Sequence, residues 1–224
     1  MPRATTFAFV AVLLAVLPPA AGAQDKDKIC RDVQNRPMTV GQWANYTWTG
    51  GPMDGGNMRF AIVGTEPQGG VTYYWYEMAI DDPKHAAKGK TIMQMLVPGL
   101  AYGAGGLRAM IMKSGNEPAM RMPDQMVSMM GSRMASNITA EISRSCLEME
   151  LVGWEDVTVP AGTFHALHLR NPHGQTEAWV RPELYFGMVK VVTKDGAVMA
   201  LVAYGAGAKS SITETPREMP LPGH

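Results

Sequence analysis

The stretch Val157-Thr158-Val159-Pro160-Ala161-Gly162-Thr163-Phe164-His165-Ala166-Leu167-His168-Leu169-Arg170 decides the fold. Pro160 has a fixed φ and no backbone N–H, so a central strand cannot run through it. Gly162, two residues on, tolerates positive φ. Pro160-Ala161-Gly162 therefore turns the chain sharply. Phe164 to Arg170 reads as a strand, and Leu147 to Val159 holds one long strand or two short ones. The segment is a β-hairpin, and its rhythm repeats in both directions.

Towards the C-terminus, Asn171 to Gly174 turns the chain again, and Thr176–Arg181, Met188–Lys194 and Ala197–Tyr204 read as strands. Towards the N-terminus the strands are Gln42–Trp48, Met58–Thr65, Val71–Ile80, Thr91–Val97 and Leu107–Lys113, separated by Gly, Pro and Asp. One segment breaks the pattern. Met126, Met129, Met130 and Met134 recur at i, i+3, i+4 and i+8, the apolar stripe of a short amphipathic helix over 123–135. Pro123 suits its first turn and Asp124 its positive end. The expected fold is mainly β: an antiparallel open or half-closed β-barrel of about ten strands, with one short helix as a lid.

The 224 residues suffice for one domain with a sizeable core. The 20 Lys and Arg balance 20 Asp and Glu, which argues against a nucleic-acid partner. Residues 1–23 read as a signal peptide: Arg3, an apolar run Phe7–Leu17, and a small-residue ending Ala21-Gly22-Ala23 before Gln24. The expected destination is the periplasm or the exterior, with cleavage near Ala23-Gln24. No other segment is apolar for as long, so no transmembrane segment is expected in the mature chain. The first cysteine, Cys30, follows Asp27-Lys28-Ile29, which does not suit a lipid attachment site. The remaining divisions are an N-terminal arm 24–37, a single β-barrel-like domain 38–206 and a flexible tail 207–224. Two cysteines in an exported chain invite a disulfide between Cys30 and Cys146.

The hairpin Val157-Thr158-Val159-Pro160-Ala161-Gly162-Thr163-Phe164, the strand Glu177-Ala178-Trp179-Val180-Arg181-Pro182-Glu183 followed by Gly187-Met188-Val189-Lys190, and the stretch Val40-Gly41-Gln42-Trp43-Ala44-Asn45-Tyr46 carry a resemblance. They resemble bacterial exported proteins of unknown function whose open β-barrel is similar to the periplasmic lipoprotein carriers. The resemblance covers residues 38–50 and 147–204 and implies the barrel. Since those carriers hold acyl chains, it also points to an apolar ligand. The matching residues are structural, and a fold alone does not give a function.

Methionine is the compositional anomaly: 19 residues, eight of them between Met110 and Met134. Thioether side chains are flexible and fill irregular gaps in a core. They also make an adaptable wall for an apolar ligand. Met93 and Met95 share a strand face, as do Met110 and Met112. With Met126, Met129, Met130 and Met134 above them, they would line a soft pocket for an acyl chain, lipid or lipidated partner. The alternative is copper. Met93-Gln94-Met95, Met110-Ile111-Met112 and Met120-Arg121-Met122 are Met-x-Met pairs, and soft thioethers select Cu(I). A third reading is an envelope interaction module with no small ligand.

Catalysis has little support in the pattern. No G-x-S-x-G elbow, phosphate loop or zinc-spaced histidine pair occurs. His165 and His168, three apart on a strand, point to opposite faces and read as surface or edge histidines. The sequence reading is thus a non-catalytic protein with no cofactor and no metal centre, binding an apolar small molecule or lipid.

Overall fold

The computed structural model describes residues 21–100, 106–134, 146 and 148–220. Most of the expected signal peptide lies outside the described residues.

The elements follow in the order α1 (Ala21–Gln34), β1 (Trp43–Thr49), β2 (Asn57–Gln68), β3 (Val71–Asp81), β4 (Thr91–Val97), β5 (Ala109–Ser114), β6 (Met120–Arg121), α2 (Asp124–Met134), β7 (Glu150–Val159), β8 (Gly162–Asn171), β9 (Thr176–Val180), β10 (Met188–Val192), β11 (Val198–Gly205) and β12 (Arg217–Glu218). All twelve strands form one sheet in the order β12-β6-β5-β4-β3-β2-β1-β11-β10-β9-β8-β7. Every pairing is antiparallel except that of β12 with β6. This is the expected open, barrel-like β fold. The strand count exceeds ten because β6 and β12 are two-residue additions at one edge.

The decisive hairpin forms as its sequence dictates. β7 ends at Val159 and β8 begins at Gly162, whose φ is +129°. β8 pairs with β9 only from Leu167 onward, so the tip of the hairpin runs free of β9. There the Ala161 N–H donates to the Leu201 carbonyl at 3.1 Å. Leu201 stands where β11 slips one residue against β1, stepping over Val202. The hairpin thus closes against β11, and Val157, Val159, Phe164 and Ala166 join the core of the whole sheet.

That core lies on one face of β1–β5. Paired residues on adjacent strands share a face, which defines two rows. One runs Tyr204, Ala44, Phe60, Met78, Met93, Met112 across β11 to β5; the other runs Ile62, Tyr76, Met95, Met110. α2 lies over the far end of these rows, with Val127 fully inside the core and Met126 and Met130 packed against it. The first N–H groups of α2 turn back to Pro123: those of Met126 and Val127 both donate to its carbonyl.

Two terminal segments pack on the sheet. The segment 24–37, read as an arm, is helical up to Gln34. Ile29 and Cys30 are its buried residues, and Ile29 packs on Leu167 and Leu169. The Cys30–Cys146 disulfide is present and ties the helix down, with 5.9 Å between Cα atoms. Ile29, Cys30 and Val33 give the sequence of this helix only a short apolar patch, and its tertiary anchors hold it.

The tail, read as flexible from 207, is docked. Ala208 N–H donates to the Gly41 carbonyl at 2.8 Å, and a Cβ on Gly41 would meet Gly207 backbone at 3.0 Å. Further on, Ile212 is buried against Ala79, Ile92 and Ile111 on the outer face, and β12 completes the edge. Composition could not show this, because a single isoleucine and two serines do the anchoring.

Candidate functional site

The four strand methionines stand side by side as the spacing predicts: Met93 opposite Met112, Met95 opposite Met110. Their depths differ. Met95 and Met110 are buried, Met93 is half-buried, and Met112, at the outer end of its row, is 38% exposed. On α2, Met126 and Met130 pack on the core, but Met129 is 61% exposed. The side chain of Met134 lies outside the described residues. Where these side chains are buried, they fill the space between sheet and helix. None of the seven whose side chains are described lines either of the two cavities described next. The reason is stoichiometric: α2 brings its own Val127 and methionines into the gap that the strand methionines face.

The first cavity, about 340 Å³, has a mixed lining. Leu107 and Val127 border it, but so do Arg108, Arg121 and Asp124. The second, about 360 Å³, is a groove at the other end of the same sheet face. Its floor is Ala44 and Tyr46 from β1 and Leu201 from β11; Tyr204 and Phe186 are its walls. The register explains the assembly. Ala44 pairs with Tyr204 and Tyr46 with Leu201, so strands from opposite ends of the sequence contribute one surface. The 181–187 connection then folds over it, held by Arg181 N–H to the Gly187 carbonyl at 2.7 Å. Phe186 contacts both Phe60 and Tyr76, and Phe60 meets Tyr46 edge-on at 5.7 Å.

Two of the hydroxyl groups around this groove are engaged by backbone. Tyr46 donates to the Met188 carbonyl at 3.2 Å. Tyr185 receives the Thr39 N–H at 2.8 Å and faces the Pro37 carbonyl. Burial pushes both phenols above the ordinary tyrosine range. For Tyr185, the Thr39 N–H and the charge of Arg36 oppose that push. The surface offered to a guest is thus mainly hydrocarbon and aromatic ring. Arg36 stands at the rim, with Nη1 donating to the Leu184 carbonyl at 2.6 Å. Glu183 also borders the groove, but its carboxylate accepts from Arg181 Nε at 3.0 Å.

His165 and His168 point to opposite faces, as expected, but only His165 is a surface residue. It stacks on Trp154 and pairs with Asp156. His168 is buried and corrects the expectation of a surface or edge position. Its ring stacks on Trp179 at 4.2 Å, and Nε2 lies 3.2 Å from Glu177. Nδ1 is 3.1 Å from Glu155 without the alignment of a hydrogen bond, and the same carboxylate accepts the Trp179 indole N–H. The two carboxylates flank the ring on different nitrogens, so they do not converge on one point. Among the described residues no group of three His, Cys, Asp or Glu side chains is placed to hold a metal ion. No described helix is long and apolar enough to cross a membrane.

No family model matches the chain. No curated protein matches it either. Among solved structures it is similar to a candidate lipoprotein from Parabacteroides distasonis, at 14% identity and a TM-score of 0.35, over 75% of this chain and 97% of that one. It is also similar to a candidate exported protein with YmcC-like fold from Bacteroides fragilis, at 11% identity and a TM-score of 0.34, with the same coverage.

Proposed function

We propose that this chain is a non-catalytic, exported protein that holds an apolar ligand in the groove between β1, β11 and the 181–187 connection. The observation that carries the reading is the groove itself. At about 360 Å³ it falls within the range of about 300–1,000 Å³ usual for small-molecule sites. The hydroxyls of Tyr46 and Tyr185 are spent on backbone partners, so a hydrocarbon lying against them strands neither. Among the described residues no His, Cys or Ser borders the groove. Export is read from the leader-like residues 1–23.

The four strand methionines lie beyond the wall of the groove, further along the same sheet face. The row that begins with Tyr204 and Ala44 at the groove ends with Met93 and Met112. A chain longer than the groove would advance along that row, where flexible thioethers repack more readily than branched side chains.

The test is uptake of a neutral apolar fluorophore, N-phenyl-1-naphthylamine, by the wild-type protein and by Tyr204→Asp. Tyr204 is half exposed, so the substitution leaves the fold intact. Saturable enhancement with wild type, weakened at least tenfold in the variant, is the expected result. No saturable enhancement, or equal uptake by both proteins, overturns the reading.

A further inference from the structure

We infer that the ligand of this groove is a single-chain amphiphile with an anionic head, of the fatty-acid type, and that Arg36 receives the head. The inference rests on the proposed apolar groove and adds a charge to its guest. Two charged residues border the groove, and they are not equivalent. Glu183 is neutralised by Arg181, whose guanidinium also lies 5.9 Å from the Phe164 ring centroid. Arg36 has no such partner. Among the described residues no carboxylate stands within ion-pair distance of it, and its one bond goes to the neutral Leu184 carbonyl. Only one of its N–H donors is committed, and a guanidinium presents several in a planar fork that matches a carboxylate.

The placement of Arg36 is fixed rather than incidental. It follows directly on α1, which the disulfide anchors, and Pro37 stiffens the chain behind it. Tyr185, beside it, holds the same segment through Thr39. A half-buried cation kept in place at the mouth of an apolar groove selects a guest whose own charge sits at one end. A dicationic or zwitterionic head would bring a positive charge against Arg36 and gain less. The apolar tail supplies most of the affinity, and the head supplies the discrimination and the orientation.

The experiment compares dodecanoate, below its micelle concentration, with dodecanol, below its solubility limit, at pH 8 as competitors of bound N-phenyl-1-naphthylamine. It is run on the wild-type protein, Arg36→Gln and Arg36→Lys. The two competitors share the tail, so their ratio reads the head alone. The expected result is dodecanoate binding about tenfold tighter than dodecanol to wild type. That preference is lost in Arg36→Gln and partly kept in Arg36→Lys, while dodecanol binds all three alike. If both competitors bind wild type equally, the anionic head is overturned and the apolar groove stands. If the preference survives undiminished in Arg36→Gln, the assignment to Arg36 is overturned. If neither competitor displaces the probe, the groove reading fails and this inference fails with it.

Discussion

Ser211 grips Glu77 by both carboxylate oxygens: its backbone N–H donates to Oε2 at 2.9 Å and its hydroxyl to Oε1 at 2.7 Å. Glu77 has no solvent exposure, and Arg59 and Gln94 complete its shell. A buried carboxylate is tolerable only when it is satisfied in this way. The tail that supplies Ser211 is therefore part of the folded domain, joined to the outer face of β2–β4 through one polar knot.

The knot predicts a graded loss of stability. Ser211→Ala removes one hydrogen bond to a charged group and should lower the unfolding free energy by about 2 kcal/mol. Glu77→Gln turns an acceptor into a donor towards Ser211 or Arg59 and should lower it by about 3 kcal/mol. Urea unfolding midpoints of the two variants measure both. An unchanged midpoint in Glu77→Gln would show that the knot is not formed in solution.

The Cys30–Cys146 bridge closes a loop of 116 residues. In the chain-entropy model a loop of that length contributes about 4–5 kcal/mol. A Cys30→Ser, Cys146→Ser double variant should lose about that much. Hydrogen exchange should also accelerate in residues 26–34, since α1 has few other anchors. Uniform exchange across α1 in both proteins would contradict its dependence on the bridge.

Glu177 titrates below the ordinary carboxylate range, chiefly because Arg170 donates to it, with the charge of His168 acting in the same direction. A depressed pKa favours the ionised form in the folded state. Its contribution to stability is therefore present above the ordinary carboxylate range and lost as pH falls through that range to the lower folded value. Arg170→Gln should move the Glu177 midpoint upward. Site-resolved NMR titration of the side-chain carboxyl reads this directly, and an unmoved midpoint would assign the shift elsewhere.

The methionines should divide by depth. Met110→Ala empties buried volume at a residue with 1% exposure and should cost about 2–5 kcal/mol. Met129→Glu, on the outward side of α2, should change stability by less than about 0.5 kcal/mol. Thermal melts of the two variants settle the point. Equal effects would mean that α2 sits differently on the sheet.

The β architecture is legible in the sequence because its turn residues and alternation act locally. Pro160 and Gly162 bracket the β7–β8 turn wherever the rest of the chain lies. The shared face of Met93, Met95, Met110 and Met112 follows from the period of a strand in the same way. What covers that face does not, because Val127 and the α2 methionines occupy the space through tertiary packing. The groove was out of reach for a related reason. Ala44, Tyr46, Phe186, Leu201 and Tyr204 are scattered over three segments, and only the pairing of β1 with β11 assembles them. Arg36 gave no signal in a stretch that looked like a polar arm.

The sheet is open, so it has two rims, and a rim of unpaired amides invites another chain to add itself. At one rim β12 leaves only two residues to copy. The other is β7, whose register slips at Gly153 and whose outer residues include Glu150, Glu155 and Asp156. Two molecules meeting rim to rim along β7 would set like charges against each other across a bent template. The last strand of the sheet thus sets charge beside its exposed Val152 and Trp154, and one of those charges, Asp156, also pairs with the His165 ring.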